Sequence, residues 1–403
     1  MMQVVHSRFN ALLSACVMSL IATAGWSQSL TWLGYDNSSY AYGVSADGSV
    51  VVGVAENAAG RSRAFRWQNG VMQDLGTLGG DESWAYGVSA DGAVVVGDIY
   101  NAAGHYRAFR WASGGMQDLG TLGGDDSFAL GVSADGSVVV GYAQNAEGQE
   151  RAFRWTASGG MQDLGTLGGY FSYAYGVSAD GSVVVGTSGG YAFRWTESEG
   201  MQALGTLPGT DWSTASGVSA DGRVVVGWAR NAAGQLRAFR WTASGGMQEL
   251  GTLGGGYSWA RGVSADGAVV VGYAINAAGQ YRAFRWTVDG GMEDLNTTYA
   301  RLLTPGSVLV YALAISPDGR YIVGGGWNAA TGRTEEAFLL DTRCTAHNGD
   351  VNRNGCVDDA DLLAVLFAFG QTGSNLGRVD VNCDEVVDDA DLLIVLFNFG
   401  SGC

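Results

Sequence analysis

The chain has 403 residues and a formal net charge of −17, with 39 acidic positions against 22 that are all Arg. No basic stripe offers the positive field that phosphate binding needs, which excludes nucleic acid and an anionic lipid surface as expected partners. Gly is abundant at 65 residues and Pro rare at 3, with no collagen period, which points to tight turns and close strand packing.

Residues 1–24 read as an export signal peptide. Arg8 lies in a short n-region, an apolar stretch runs from Ala11 to Ala24, and Ala22-Thr23-Ala24 fits a small-residue cleavage site. The stretch is too short to span a bilayer, and nothing later reaches spanning length. An extracellular protein without a transmembrane segment is therefore expected. Leu13-Ser14-Ala15-Cys16 carries the alternative, a lipobox that would leave the protein lipid-anchored at Cys16. The apolar run continues past Cys16, which favours ordinary cleavage.

Residues 29–341 are repetitive. Gly-Val-Ser-Ala-Asp-Gly begins at Gly43, Gly87, Gly131, Gly176, Gly217 and Gly262, and a diverged seventh copy spans Ala314 to Gly319. A valine run follows each copy, as at Val50-Val51-Val52-Gly53, then a turn such as Asn57-Ala58-Ala59-Gly60. Next comes Ala-Phe-Arg-Trp, first at 64–67, and then Met-Gln-Asp-Leu-Gly-Thr-Leu or a variant, first at Met72. Each unit thus holds four short β segments parted by Gly, Asn and Asp turns, and Asp-Gly between apolar runs signals a hairpin. A four-strand unit repeating every 41 to 52 residues has the size of a propeller blade.

The ends sharpen the prediction. The fourth segment follows only six of the seven units, and Leu30-Thr31-Trp32-Leu33-Gly34 supplies the missing one. The expected fold is an all-β, seven-bladed β-propeller closed by the N-terminal strand, which completes the blade begun at Tyr311 and leaves no exposed edge. Symmetry breaks at Ser188-Gly189-Gly190, a short turn in blade four, and at an insertion in blade seven around Asn296 to Ser307.

Individual side chains carry further expectations. The turn acids from Asp47 to Asp318 close hairpins. The Trp series beginning at Trp67 packs between blades. Arg66 and its equivalents pair across strands with Asp74, Asp118, Asp163, Glu249 or Asp294. The aromatics Tyr40, Trp84, Phe128, Tyr173, Trp212 and Trp259 are candidates for a glycan-stacking rim. The repeats hold a single His, His105, and no nucleophile elbow, paired zinc ligands or phosphate loop, so the protein is not expected to be an enzyme. A carbohydrate-active enzyme on a propeller scaffold is the alternative, because carboxylate spacing in a ring cannot be read from sequence.

The Ala-Phe-x-Trp, Met-x-Asp-Leu-Gly-Thr-Leu-Gly-Gly and Gly-Val-Ser-x-Asp-Gly units resemble the HAF-type extracellular repeat family over about residues 30–341. The His that gives that family its name is mostly Arg here, as at Arg63 and Arg107. The resemblance implies an exported structural or binding protein and supplies no catalytic residues.

Composition shifts at Cys344, opening a module over residues 344–403. Cys344, Cys356, Cys383 and Cys403 suggest two disulfides in an exported segment. Three pairings are open, and the favoured one joins Cys344 to Cys403 and Cys356 to Cys383. Two acidic loops each precede an apolar segment, at 362–370 and 392–400. Calcium takes six to eight oxygens, and alternate positions of a tight loop aim oxygens inward, with an acid at the twelfth position. The first set is Asp350, Asn352, Asn354, the Cys356 carbonyl, Asp358 and Asp361. The second is Asp380, Asn382, Asp384, the Val386 carbonyl, Asp388 and Asp391. Gly355 holds the sharp-turn position of the first loop and Glu385 that of the second.

The duplicated loop with Asp at position twelve resembles a type I dockerin over about residues 348–400. The resemblance implies a small α-helical module that folds around two calcium ions and docks onto a cohesin-like or other cell-surface protein. Positions ten and eleven, which set partner choice in that family, are Asp359-Ala360 and Asp389-Ala390 in place of a hydroxyl pair.

Overall fold

The structure is a computed structural model that describes residues 28–403 apart from 35–36, 114, 344–347, 353–354, 373–375 and 384–385. The expected signal peptide, Cys16 and Cys344 lie outside the described residues. The chain divides into a unit spanning Leu30–Thr342 and a second that holds Arg343–Cys403.

The first unit is a seven-bladed propeller of antiparallel four-stranded sheets. In the first blade the strands run Ser39–Val44, Val50–Glu56, Ser62–Gln68 and Val71–Asp74, in that spatial order. The Gly-Val strand of every blade is innermost and lines a central channel. In the seventh blade Ser29–Trp32 pairs with Arg333–Asp341 as the outer strand, so the ring closes through the N-terminal strand as expected.

Apolar side chains of adjacent blades form shared cores. Val50, Val52 and Ala64 of the first blade pack with Val95, Phe109 and Trp111 of the second, which places that Trp between blades. The Gly after each valine run follows from close approach. A Cβ on Gly53 would lie 1.9 Å from the Tyr40 carbonyl oxygen, and one on Gly141 would lie 1.8 Å from that of Phe128. The Asp-Gly turns close as expected: Asp47 accepts from the Ser45 hydroxyl at 2.7 Å and the Ser49 amide at 3.0 Å, and Gly48 sits at φ 71°.

Hydrogen bonds join the blades in a regular pattern. The Ala64 amide donates to Ser83 Oγ of the next blade at 2.9 Å, and Ala108, Ala152, Ala192 and Ala238 repeat that bond. Arg66 is a correction. It does not pair with Asp74 but donates Nε to the Gly92 carbonyl of the next blade at 3.2 Å, as Arg110 does to Gly136. Phe65 stands opposite Asp74 in the register. With side chains alternating faces, Arg63 shares the face of Asp74 and Arg66 does not. Cross-strand ion pairs on the Asp74 face accordingly join Arg63 with Asp74, at 2.9 Å, and Arg237 with Glu249, at 2.7 Å, while Arg285, the sixth-blade equivalent of Arg66, pairs with Glu293 opposite it at 3.4 Å and not with Asp294.

The blade-seven insertion packs where blades six and seven meet. Leu295 and Tyr299 enter the core that Val271 and Ala283 share with Leu309 and Phe338, and Asn296 bonds the backbone of Leu309 through both side-chain atoms.

The second unit contains two helices, Asp359–Ala368 and Asp389–Phe397, around a core of Val357, Val365, Val381, Val387 and Val395. Each begins with a capping box, with Asp358 and Asp388 as N-caps and Asp361 and Asp391 as the reciprocal acids. The disulfide expectation is corrected: Cys356 bonds Cys403, not Cys383. The Val357 amide donates to Ser401 O and the Gly400 amide to Val357 O, so the chain end lies antiparallel to the first loop's exit. That pairing brings the Cys356 and Cys403 Cα atoms to 4.7 Å. Cys383 is also disulfide-bonded.

Candidate functional site

The twin loops are built alike around their twelfth residues. Asp361 is fully buried; its Oδ1 accepts from the Val351 and Asn352 amides at 2.7 and 2.9 Å, and its Oδ2 from the Asp358 amide at 2.9 Å. Asp391, equally buried, accepts from Val381, Asn382 and Asp388 amides at 2.5, 2.9 and 3.0 Å. Each acid therefore draws the second, third and ninth positions of its own loop around one carboxylate.

The other positions vary in what they offer. Asp350 accepts from the Gly355 amide at 3.1 Å through Oδ2, while its Oδ1 is buried without a hydrogen-bond partner among the described residues. Gly355 has φ 88°, as the sharp turn requires. Asp358 and Asp388 each give one oxygen to a helix cap, on Ala360 and Ala390. Val386 forms a bridge with Thr372, which ties the second loop to the linker between the helices. Asn354, Asp384 and Glu385 lie outside the described residues. Among the described residues no group of three His, Cys, Asp or Glu is gathered as a ready metal cluster. The donors are nonetheless all oxygen, the set that suits a hard cation, and the orphaned Asp350 oxygen is a buried acceptor in need of a partner.

A second site escaped the sequence reading. The innermost strand of every blade carries a register shift that leaves one extra residue just before its Gly-Val or Ala-Ile pair. These residues are Tyr42, Tyr86, Leu130, Tyr175, Ser216, Arg261 and Leu313, and all line the channel. A bulge re-aims its side chain, so one position per repeat sets the channel chemistry. The signal was in the sequence: the residue before Gly-Val-Ser varies while the motif is constant in six of its seven copies.

The channel has a volume of about 450 Å³, and Arg261 is the one charged residue lining it among the described residues. Its guanidinium carbon lies 5.2 Å from the Trp228 ring centroid and 5.6 Å from that of Tyr273, and its Nε is buried without a hydrogen-bond partner among the described residues. Behind Tyr86 sits Asp98, 1% exposed, with Oδ1 likewise unpartnered. Burial pushes the Asp98 carboxyl up to about 8, against a smaller opposing effect from its Tyr86 hydrogen bond. Burial also raises Tyr42 and Tyr175, and the positive charge of Arg261 partly offsets both shifts.

Aromatic rings continue outward from these residues. Tyr42 contacts Tyr86 and Tyr40, Tyr40 contacts Tyr311, and Tyr311 contacts Tyr273 with centroids 5.0 Å apart. Another run joins Trp84, Tyr106, Phe128, Tyr142 and Tyr173. The expected rim aromatics thus fall into two runs, Tyr40 in one and Trp84, Phe128 and Tyr173 in the other, with one correction. Thr214, not Trp212, is the fifth-blade equivalent of Tyr40, because Ser213 aligns with Ser39 in the register. Trp228, opposite Thr214, restores an aromatic at that level.

The fold is that of a propeller scaffold with a separate two-helix, twin-loop unit. No protein-family model matches the chain, and no curated protein does. Among solved structures, TolB from Acinetobacter baumannii is similar at TM-score 0.45 and 14% identity, over 61% of this chain and 62% of that one. The match therefore spans less than two thirds of the Acinetobacter protein. A putative TolB from Agrobacterium tumefaciens is similar at TM-score 0.43 and 16% identity, over 67% of this chain and 94% of that one. Among the described residues no helix is long and apolar enough to cross a membrane.

Proposed function

We propose that this is an exported, non-enzymatic binding protein whose propeller is an interaction scaffold and whose C-terminal unit takes two calcium ions and docks onto a partner. The observation that carries the reading is the equivalence of the two loops. Asp361 and Asp391 are buried and make the same three amide bonds, a repeated pattern that suits two like ions. Asp350, Asn352, Asn354, the Cys356 carbonyl and Asp361 would hold one ion, with Asp358 direct or through water. Asp380, Asn382, Asp384, the Val386 carbonyl, Asp388 and Asp391 would hold the other. Each ion would gather acids that otherwise repel across a short loop.

The helices support docking. Phe367 is 84% exposed and Phe397 77% exposed, at matching positions of the two halves, with Leu363, Leu366, Leu393 and Leu396 also exposed. Paired apolar patches of this kind mark protein-interaction surfaces. Their repetition would let a cohesin-like or other cell-surface partner bind in two orientations.

A calcium titration of the full chain by calorimetry tests the reading. Two ions per chain are expected, one with Asp361→Ala and none with Asp361→Ala/Asp391→Ala. Absence of calcium binding to the wild-type chain would end it. A glycan at the propeller rim is a second reading, favoured by the aromatic run from Trp84 to Tyr173.

A further inference from the structure

We propose that the central channel is a binding site for a small acidic sugar, a uronate of one or two rings, whose carboxylate pairs with Arg261. The inference deepens the reading of the propeller as a binding scaffold and is independent of the calcium loops.

Three observations carry it. The first is charge. Among the described residues Arg261 is the one charged side chain lining the channel, it makes no ion pair, and its Nε is buried without a hydrogen-bond partner. Arg261 is half-buried, and an arriving carboxylate accepts paired, charge-assisted hydrogen bonds from its guanidinium. The chain as a whole is strongly acidic, at −17, so a long polyanion would be repelled while a small monoanion reaching this one cation is not.

The second is the wall. Tyr42, Tyr86 and Tyr175 line the channel, with Tyr42 and Tyr86 5.3 Å apart, and Trp228 and Tyr273 hold the Arg261 guanidinium from outside that lining. Aromatic faces with polar tips fit a pyranose ring, which has apolar C–H faces and a polar edge. A volume of about 450 Å³ lies within the usual span for small-ligand sites.

The third is the unpartnered carboxyl. Asp98 is almost fully buried, bonds the channel residue Tyr86, and keeps an Oδ1 without a hydrogen-bond partner among the described residues. Burial keeps it protonated at neutral pH, so Asp98 does not neutralise Arg261. The Tyr86 hydroxyl donates to this carboxyl, which leaves its oxygen lone pairs to accept from a sugar hydroxyl. A simple anion hole would need neither the aromatic walls nor this polar pair.

The test is calorimetric titration of the full chain with D-glucuronate and D-galacturonate, with glucose, acetate and sulfate as comparisons. At least one uronate is expected to bind at least tenfold more tightly than glucose and than acetate. Arg261→Gln should weaken that binding at least tenfold while leaving the propeller folded, and Tyr86→Phe should weaken it several-fold. Were Arg261→Gln to misfold, Arg261→Lys and Tyr86→Phe would decide the matter, and unchanged binding in both would overturn the proposal. Lack of binding by either uronate would overturn it, as would acetate or sulfate matching the uronates. Glucose binding as tightly as a uronate would overturn the acidic-sugar assignment while leaving the propeller as a binding scaffold.

Discussion

The Ala337 amide donates to Ser39 Oγ at 3.0 Å, across 298 positions of sequence. It is the same bond that Ala64 makes to Ser83 between the first two blades, so the junction that closes the ring is chemically an ordinary blade interface.

Ser39→Ala should therefore destabilise the propeller as much as Ser127→Ala does inside the array. Each leaves a buried amide without its acceptor, at a cost of about 1–3 kcal/mol. Equilibrium unfolding in denaturant measures both. A negligible loss for Ser39→Ala beside a full loss for Ser127→Ala would show that the ring is open in solution.

Backbone bonds also run around the ring, from Ala46 to Ala90, Ala90 to Ala134, and onward to Ala265, which donates to Pro317 O at 2.8 Å. Pro317 has no N–H to pass on. Pro317→Ala should restore a donor at the closing junction, and hydrogen exchange should then show a protected amide at position 317.

Asp98 predicts a pH dependence. Its folded value of about 8 lies above the unfolded carboxylate value of about 3.9. The folded state then holds a proton that the unfolded state releases. Stability from this group is complete below pH ~4 and falls as pH rises through 8, by about 1.4 kcal/mol per unit between the two values. Asp98→Asn should flatten that slope and raise the melting point at pH 8. Melts from pH 5 to pH 9 check it.

The turn acids act in the opposite direction. Hydrogen bonds from Ser178 and Ser182 lower Asp180 to about 2, and serine or backbone donors likewise lower Asp47, Asp91 and Asp135. Their contribution is present above the unfolded value and lost as pH falls through the folded ones. Stability should therefore decline below pH ~4, and Asp180→Asn should be least harmful at pH 2.

The Cys356–Cys403 bond closes a span of 47 residues in the second unit. Cys403→Ser should cost on the order of 2–4 kcal/mol there and leave the propeller melt unchanged. Differential scanning calorimetry of the full chain would resolve the two units.

The repeat made most of the fold legible without coordinates. Seven Gly-Val-Ser or related units, four segments in each and Leu30 to Gly34 in the place of the absent strand determined blade number and closure, because strand period and turn chemistry are local properties. The roles of Asp47 and Trp111 were readable for the same reason. Tertiary structure alone decided what depends on facing and register. It moved the ion pair from Arg66 to Arg63, because strand faces alternate. It joined Cys356 to Cys403, because the chain end pairs with the exit of the first loop. It brought Arg261, Tyr42 and Tyr175 from separate blades to one channel, since a bulge turns a side chain inward and only ring closure makes distant bulges neighbours.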